Sequence, residues 1–320
     1  MGRRPKSRNP DLDGVLVINK PVGMTSHDVV AVVRRITGQR RAGHTGTLDP
    51  DATGVLVICL GRATRLVQFL QAGQKTYAAR MVLGLATSSQ DAAGKAIFEA
   101  DASAIDEVML CEALTAMVGD VLQIPPMVSA IKIDGERLHE KARRGEVVDR
   151  DPRPITIHSI VLEDWEAGAR AEAAFLVTCS PGTYVRTIAH DVGESLGVGG
   201  SLVSLCRTAN AQFTLDDAIT LDELARAGED GLAPLLVSMP QAVIGMSRVE
   251  VDAAQAWDIA HGRRVPARGI EGAYAILHGG MVLAIQRDVA GFGKSEVVLV
   301  QPDDLVAPQP SDSQPNDAPS

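Results

Sequence analysis

A glycine- and threonine-rich stretch over residues 43–54, GHTGTLDPDATG, contains two carboxylates that could do chemistry. Asp49 precedes Pro50, which biases its backbone away from helical angles, and Asp51 follows two positions later. A positioned carboxylate can act as a nucleophile or as a general base. Because aspartate is also a common turn residue in such loops, this stretch alone leaves a purely structural role open.

Regular elements on both sides of this stretch would hold it in place. Gly14–Ile18 and Val55–Leu60 are apolar runs of strand length. Apolar residues between them recur at helical spacing, at Val29, Val30, Val33 and Ile36. Thr25 or Ser26 could cap that helix. The sequence therefore predicts a long loop over residues 38–54 on a rigid scaffold, where catalytic groups are common.

The rest of the chain mixes strands and helices without a regular alternation. Further strands are predicted at Thr76–Leu83, Val128–Ile133, Ile155–Leu162 and Ala173–Cys179. Further helices are predicted at Ala63–Leu70, Ala104–Val118, Arg137–Arg144, Tyr184–Leu196, Leu221–Ala227 and Ala253–His261. Residues 84–103 have the composition of a loop. This irregular order predicts an α+β fold instead of repeated βαβ units.

Composition divides the chain into a large central part and three smaller segments. Residues 1–10 are basic and lack apolar periodicity, which predicts a disordered arm. Residues 240–302 contain several short apolar runs and are predicted to form a small β-rich module. Residues 303–320 are rich in Pro, Ser and Asp and are predicted to be a disordered tail.

Charge is unevenly distributed along the 320 residues. The formal net charge is −9, yet residues 1–80 hold 13 Lys and Arg against 5 Asp and Glu, a balance of +8. A polyanion such as RNA could bind to this quarter while the acidic remainder keeps the protein soluble. Chance asymmetry is the alternative interpretation.

Several other classes of protein are disfavoured by the sequence. The cysteines are widely separated and match neither a disulfide framework nor a zinc site, at Cys59, Cys111, Cys179 and Cys206. No apolar stretch approaches the 18 residues of a membrane span, and the basic N-terminus lacks the apolar core of a secretory signal. We therefore expect a cytoplasmic protein without a membrane anchor or a metal.

Six motifs in order give the carboxylate loop a more specific meaning. They are KPVGMTS (20–26), GHTGTLDPDATGVLVICLGRATR (43–65), KTY (75–77), IPPMVSAIK (124–132), SPGTYVR (180–186) and LCRT (205–208). Together they resemble the TruB family of bacterial tRNA pseudouridine synthases, which modify uridine 55 in the T-arm of tRNA. The resemblance spans about residues 14–215.

This resemblance implies a catalytic role for three residues. Asp49 matches the family's essential carboxylate, which starts the isomerisation by adding to the ribose or base, or by removing a C2′ proton to give a glycal; both routes stay open. Arg186 matches the arginine that pairs with this aspartate. Tyr77 matches a tyrosine that stacks on the target uracil and could take the C5 proton.

Further residues match family positions that bind the RNA. Tyr184 matches a contact to the bound nucleotide and Leu205 a contact to the base. His44 matches a histidine that helps hold the target nucleotide in its flipped-out position. The target uridine must leave its stack, and phosphate and stacking contacts would offset the free-energy cost of that step. Candidate phosphate contacts are Lys20, Arg34, Arg35, Arg40, Arg41, Arg62 and Arg65, and Lys132 is a further substrate-binding candidate in the P-P-x-x-S-A-x-K motif.

The resemblance also implies an architecture. Residues 11–239 would form the pseudouridine synthase catalytic domain, built on a mixed, mainly antiparallel sheet, with an RNA-gripping insertion at about residues 125–153. Residues 240–302 would be an RNA-binding-like module. A monomer that binds the tRNA T-arm stem-loop, with no cofactor and no metal, is expected.

Two other functions remain possible at the level of sequence. One is a guide-dependent relative that modifies other RNAs, and the other is a chaperone that remodels tRNA. Three positions also depart from the family pattern: Val128 replaces a frequent Tyr, Cys206 a frequent Arg, and Ser89 a Thr.

Overall fold

The computed structural model describes residues 12–307, apart from residues 130, 131, 134, 139, 140, 142, 143, 145, 147, 229 and 230. Strands of its first half are β1 (Gly14–Lys20), β2 (Ala42–His44), β3 (Thr53–Leu60), β4 (Lys75–Leu83), β5 (Leu85–Thr87), β6 (Ala96–Glu99), β7 (Gly119–Gln123), β8 (Lys132–Ile133) and β9 (Glu136–Arg137). Strands of its second half are β10 (Arg153–Glu166), β11 (Glu172–Cys179), β12 (Gly200–Asn210), β13 (Phe213–Thr214), β14 (Ser247–Glu250), β15 (Val265–Pro266), β16 (Ala273–His278), β17 (Met281–Val289) and β18 (Phe292–Val298). Helices are α1 (Ser26–Thr37), α2 (Val67–Gln71), α3 (Glu107–Ala116), α4 (Val185–Ser195), α5 (Leu221–Ala227), α6 (Met239–Ala242) and α7 (Ala253–Ala260).

Nine strands of the described residues form the central sheet. Its main path runs β1-β3-β12-β4-β11-β10-β7, with β2 paired to β3 and β13 paired to β12. Every pairing in this sheet is antiparallel except that between β3 and β12. The predicted α+β class with a mainly antiparallel sheet is confirmed.

β1 and β3 are buried on both faces, which explains why both are continuous apolar runs. Val15, Val17, Val55 and Val57 pack in a cluster with residues of the C-terminal sheet. Alternate residues such as Leu16 and Leu56 pack against α1 on the opposite face. Because β3 immediately follows the Asp49 loop, this double burial fixes one end of that loop.

The helix α1 fixes the other side of the loop. Thr25 caps it, because its hydroxyl accepts a hydrogen bond from the backbone N–H of Asp28 while the Asp28 carboxylate accepts from the Thr25 N–H. Gly38 ends the helix with a left-handed φ of 63°. The predicted helix and its end are confirmed.

β4 alternates between buried and partly exposed residues along its whole length. Its buried side chains, including Tyr77 and Met81, pack with α3 and α4 in the largest described core cluster. α4 packs on this face through Ile188 and Val192. The start of α4 therefore lies beside the same face of the sheet as Tyr77.

A second sheet lies at the C-terminal end, in the order β14-β16-β17-β18-β15. Its apolar residues share a cluster with β1 and β3. Arg62 also joins the two parts, because it forms ion pairs with Asp13 and Asp304, and Arg65 donates to the Val298 carbonyl. The predicted domain boundary at residue 240 stays a prediction.

Several predicted elements differ from the structure. The predicted loop over residues 38–54 contains β2, which pairs with β3, and the predicted loop over residues 84–103 contains the hairpin of β5 and β6. Both involve short strands, whose periodicity is hard to detect. Of the strand predicted at 128–133 only Lys132–Ile133 is a described strand, and Arg137, predicted as helix, ends β9.

Segments predicted to be disordered fall mostly outside the described residues. Residues 1–10 and 308–320 are among them. Residues 303–307, assigned to the tail from their composition, are described: Pro302–Asp304 form a 3-10 turn and Asp304 binds Arg62. None of the described helices combines the length and apolarity needed to cross a membrane.

We predict that Gly54→Ala is strongly destabilising. Gly54 has φ of +98°, and a Cβ there would lie 2.2 Å from the Arg207 carbonyl oxygen on the paired strand β12. Strain and overlap together should lower the free energy of unfolding by about 2–4 kcal/mol in urea titrations. Gly262→Ala is the control, because Gly262 has φ of +73° with open space around it, so about 1 kcal/mol is expected. Equal losses in both variants would contradict the overlap.

Candidate active site

One cleft brings together five residues singled out from the sequence. Its lining includes Asp49, Tyr77, Tyr184, Arg186 and Leu205. Asp49 lies in the loop between β2 and β3, Tyr77 on β4, Tyr184 and Arg186 at the start of α4, and Leu205 on β12. The strand order therefore assembles at one place residues that are far apart in sequence; their individual roles stay predictions.

Two buried polar side chains bind the backbone on either side of Asp49. The Ser26 hydroxyl accepts from the Leu48 N–H at 2.9 Å and donates to the Leu48 carbonyl at 3.2 Å. The Lys20 ammonium donates to the Pro50 carbonyl at 2.9 Å. These bonds fix the backbone on both sides of Asp49 and so hold this residue at the cleft.

Arg207 holds the first part of the same loop. Its side chain is almost fully buried and donates to the carbonyls of Val55 at 2.7 Å, Gly46 at 3.2 Å and Thr47 at 3.5 Å. A buried guanidinium that binds several carbonyls costs less desolvation energy than an unpaired one. The loop therefore folds around the buried guanidinium of Arg207.

Arg186 is the central charged group of the cleft. Its side chain is only 5% exposed, and its Nε lies 3.1 Å from Asp49 Oδ2. Its Nη1 lies 3.1 Å from Asp91 Oδ2 and donates to the Ser89 carbonyl. Its Nη2 donates to the Val128 carbonyl at 2.8 Å. The contact expected between Arg186 and Asp49 is thus present. The same guanidinium also binds the loop that contains Ser89 and Asp91 and the loop that contains Val128.

The electrostatic environment of Asp49 balances opposing effects. Desolvation within the cleft raises its pKa although 48% of its side chain is accessible to solvent. The positive charge of Arg186 opposes this, Asp91 and Asp51 raise the pKa further, and Lys20 lowers it. Arg186 is therefore the main group that keeps the Asp49 carboxylate ionised.

Tyr77 and Lys75 form the floor of the cleft beside Arg207. Burial raises the pKa of the Tyr77 phenol, so this side chain stays neutral at physiological pH. The Lys75 ammonium donates to the carbonyls of Gln71 and Gly73. Burial first, and then the charge of Arg207, lower the pKa of Lys75 to about 8. The floor thus has a neutral aromatic ring next to two cations.

Tyr184 and Leu205 supply the apolar walls. Tyr184 is the N-cap residue of α4, and burial raises the pKa of its phenol. Leu205 is half-buried against the main core cluster. Rings and an aliphatic side chain around a carboxylate suit a flat, planar group such as a nucleobase.

His44, the last residue of β2, is not among the residues that line the cleft. Its Nδ1 accepts from the Gly46 N–H at 3.3 Å, and its ring meets that of His27 edge-on at a centroid distance of 5.3 Å. Burial, followed by the charges of His27 and Arg207, lowers the pKa of His44 to about 4. His44 is therefore a neutral imidazole whose Nε2 carries the proton.

Lys20 requires a correction. It was expected to bind substrate through a phosphate, but its side chain is fully buried and its ammonium donates to the carbonyls of Pro21, Met24 and Pro50. Lys20 therefore holds the Asp49 loop instead of facing RNA. The side chain of Lys132 lies outside the described residues, so its expected contact stays a prediction.

Two other expected phosphate contacts are used inside the protein. Arg62 binds Asp13 and Asp304, and Arg65 binds the Val298 carbonyl. Both side chains therefore attach the C-terminal sheet; Arg65 is nevertheless exposed, so its expected contact to a phosphate stays a prediction. A count of basic residues could not reveal this, because it contains no information about burial or partners.

Three residues of the site were missed in the sequence. Asp91, the second carboxylate on Arg186, lies two positions after Ser89, one of the departures from the family pattern, and Arg207 lies in the LCRT motif. Lys75 begins the KTY motif. Lys75 and Arg207 lie inside two of the six motifs, which was the available signal, whereas Asp91 lies outside all six. Within the described residues, the grouping with spacing suited to a metal is His190, Asp191 and Glu194, and it is not part of the cleft lining.

Family models match consecutive parts of the chain. TruB family pseudouridylate synthase (N terminal domain) matches residues 34–185. The tRNA pseudouridylate synthase B C-terminal domain matches residues 186–243, and tRNA Pseudouridine synthase II, C terminal, matches residues 246–300. Together these matches cover both the cleft and the C-terminal sheet.

Curated relatives cover nearly the whole chain. The tRNA pseudouridine synthase B of Symbiobacterium thermophilum is 48% identical over 82% of this chain and 86% of its own length. That of Thermobifida fusca is 41% identical over 90% of this chain and 98% of its own length.

Solved structures have the same fold. An archaeal box H/ACA sRNP Nop10-Cbf5 complex gives a TM-score of 0.70 at 25% identity, over 91% of this chain and 87% of the other. A Cbf5-Nop10-Gar1 complex gives 0.71 at 27% identity, over 91% and 86%.

We predict that the pKa of the Asp49 carboxyl responds in opposite directions to two neighbouring charges. Arg186→Met should raise it, because the cation that favours the ionised form is lost, and Asp51→Asn should lower it, because a repelling anion is lost. The measurement is a titration of ¹³C-labelled aspartate carboxyls by NMR, with the Asp49 signal assigned by its loss in Asp49→Asn. Arg186→Lys keeps the charge and should move the pKa less than Arg186→Met. Shifts of the same sign in the Met and Asn variants would refute this electrostatic account.

Proposed function

The chain belongs to the TruB family of pseudouridylate synthases, and we propose that it isomerises uridine 55 in the T-arm of tRNA to pseudouridine with Asp49 as the essential carboxylate. The observation that carries this proposal is the pairing of Asp49 with the buried Arg186 in a cleft walled by Tyr77, Tyr184 and Leu205. Relatives named tRNA pseudouridine synthase B, which cover most of the chain, support the tRNA substrate.

The reaction needs a carboxylate that is ionised and close to the sugar. The N1–C1′ bond of the uridine breaks, the uracil turns, and C5 bonds to C1′; the C5 proton is then lost and N1 is protonated. Asp49 would either add to the ribose or base, or take the C2′ proton to give a glycal. Arg186 favours the ionised form of Asp49, which either route requires.

The surrounding residues have roles that follow from their charge and burial. Tyr77 is neutral because burial raises its pKa, which favours stacking on the uracil over direct removal of the C5 proton as a phenolate. Leu205 and Tyr184 would contact the flipped nucleotide from the sides. His44, a neutral imidazole with a proton on Nε2, would donate a hydrogen bond to the RNA next to the cleft.

The uridine must leave its stack before Asp49 can reach it. Flipping costs a few kcal/mol, which stacking and phosphate contacts can offset. Arg40 and Arg41 are exposed just before β2, close to the loop that contains Asp49, and they are the proposed phosphate contacts. The segment over residues 125–153 is the proposed grip on the RNA.

The enzyme is proposed to act as a monomer in the cytoplasm, where its tRNA substrate is made. A single chain supplies every residue named in the cleft. The isomerisation involves no net oxidation or hydrolysis, so no cofactor is proposed for it.

A guide-dependent synthase is the second candidate function, favoured by the likeness to solved structures whose titles name an archaeal box H/ACA sRNP Nop10-Cbf5 complex and an H/ACA RNP bound to a substrate RNA. The higher identity to tRNA pseudouridine synthase B, 48% against 25%, favours the stand-alone enzyme. Activity of the purified chain on bare T-arm RNA would separate the two.

We predict that Asp49→Asn abolishes turnover but not RNA binding. Release of tritium from T-arm RNA labelled at C5 of its uridines should fall by about 10³-fold or more, because an amide cannot serve as nucleophile or base. The dissociation constant, measured by filter binding, should stay within about threefold. Asp51→Asn in the same loop is the control and should keep most of the rate. A wild-type protein that binds this RNA tightly without releasing tritium would point to the chaperone or to another RNA.

We predict that Arg40 and Arg41, and not Lys20, contribute to the salt dependence of binding. Replacing both arginines by Gln should weaken binding and reduce the slope of log K against log salt by about 2, since each phosphate contact contributes about 1. Lys20→Met should lower the melting temperature and leave the slope unchanged, because its ammonium already binds three carbonyls. Equal slopes in wild type and the double variant would rule out these phosphate contacts.

A further inference from the structure

A short turn beside the cleft contains a backbone conformation that is unusual for its residue type. Gln90 has φ of +65°, in the left-handed region that residues other than glycine seldom adopt. Its N–H donates to the Thr87 carbonyl at 3.1 Å, which closes the turn, and its carbonyl accepts from the Leu202 N–H on β12 at 3.0 Å. Such a conformation persists only where the surrounding contacts require it. The contacts of Gln90 and its neighbours must therefore outweigh the backbone strain.

The two residues next to Gln90 both bind Arg186. The Ser89 carbonyl oxygen and Asp91 Oδ2 each lie 3.1 Å from the same nitrogen, Nη1 of Arg186. The other oxygen of Asp91, Oδ1, accepts from the Ser89 hydroxyl at 2.5 Å and from the Ala93 N–H at 3.1 Å. Because Gln90 lies between the two acceptors, its backbone angles decide whether both can face one guanidinium nitrogen.

A side-chain hydrogen bond joins Gln90 to the helix that carries Arg186. Thr187 follows Arg186 in α4 and is 2% exposed, and its hydroxyl donates to Gln90 Oε1 at 2.8 Å. Two adjacent residues of α4 therefore bind the turn, Arg186 through residues 89 and 91 and Thr187 through residue 90. The Nε of the same guanidinium lies 3.1 Å from Asp49 Oδ2. The turn thus helps to set the orientation in which Arg186 meets Asp49.

We propose, on the basis of the proposed function, that Gln90 and Thr187 are positioning residues for the pair of Asp49 and Arg186. The left-handed backbone of Gln90 presents the Ser89 carbonyl and the Asp91 carboxylate together to Arg186, and the Thr187 hydroxyl holds that backbone in place. Neither Gln90 nor Thr187 is among the residues that line the cleft, so both act through Arg186. Misplacement of a catalytic group by about 1 Å can cost on the order of 100-fold in rate.

Substitutions at the two positions separate the backbone conformation from the hydrogen bond. Gly adopts the left-handed region freely, whereas the β-branched side chain of Val disfavours it strongly. Gln90→Gly and Gln90→Val both remove the amide, so the comparison between them tests the backbone. Thr187→Val keeps the shape of the side chain and removes the hydroxyl, whereas Thr187→Ser keeps the hydroxyl.

The experiment compares these four variants with the full-length wild-type protein. Single-turnover rates of pseudouridine formation on saturating T-arm RNA are measured together with the dissociation constant, the melting temperature and the pKa of Asp49 by NMR of ¹³C-labelled carboxyls. Ala290→Val is the matched control, because Ala290 has φ of +51° in the exposed turn between β17 and β18.

We expect Gln90→Val to react about 10-fold or more slowly than Gln90→Gly, with dissociation constants within about threefold of wild type. Thr187→Val should lose about 10-fold in rate, and Thr187→Ser should stay within about threefold of wild type. The pKa of Asp49 should fall in Gln90→Val, because the Asp91 anion that raises it moves away. Ala290→Val should lower the melting temperature without lowering the rate.

Three results would overturn the inference while the wild-type enzyme is active. They are equal rates in Gln90→Val and Gln90→Gly, a wild-type rate in Thr187→Val, and a reduced rate in Gln90→Val with an unchanged pKa of Asp49. If Gln90→Val does not fold, the comparison of Thr187→Val with Thr187→Ser decides alone. Absence of pseudouridine formation by the wild type would instead overturn the proposed function.

Discussion

The burial of the Arg186 guanidinium is the interaction on which the rest of the cleft depends. A buried cation must have its charge and its five N–H donors compensated, or its desolvation would be costly. Here the compensation comes from the carboxylates of Asp49 and Asp91 and from two loop carbonyls. Three loops thus converge on this one side chain, and one of its partners is Asp49, the carboxylate proposed to react.

Two further buried cations stabilise the backbone around that partner. Lys20 binds the carbonyl of Pro50, after Asp49, and Arg207 binds the carbonyls of Gly46, before it, and Val55, after it. This choice of acceptor has an electrostatic consequence. Carbonyls satisfy the donors without adding negative charge, so each cation keeps its effect on a neighbouring group. Lys20 lowers the pKa of Asp49 and Arg207 lowers that of Tyr77, in both cases against the effect of burial. Rigidity and charge stabilisation therefore come from the same side chains.

Sequence patterns predicted the scaffold better than the polar contacts. The apolar runs at β1 and β3 and the spacing in α1 predicted their elements because burial imposes a period or a continuous run. The short strands β2, β5 and β6 carry too few residues for a period, and they were predicted as loops. Ordered motifs identified the residues that meet in the cleft, but not Asp91, whose importance comes from a partner that lies 95 positions away in the chain.

The charge of the first 80 residues shows most clearly what sequence leaves out. Its balance of +8 predicted an RNA-binding surface, yet the structure uses several of these cations internally. Lys20 and Lys75 bind carbonyls, Arg62 joins the C-terminal sheet, and Arg80 pairs with Asp164 and Glu172. Since long-range attraction of RNA depends on charges that remain accessible, fewer cations are available to the proposed RNA-binding surface than the count suggests. Among the described residues of this quarter, most of the exposed arginines lie on α1 and just before β2, near the loop that carries Asp49: Arg34, Arg35, Arg40 and Arg41.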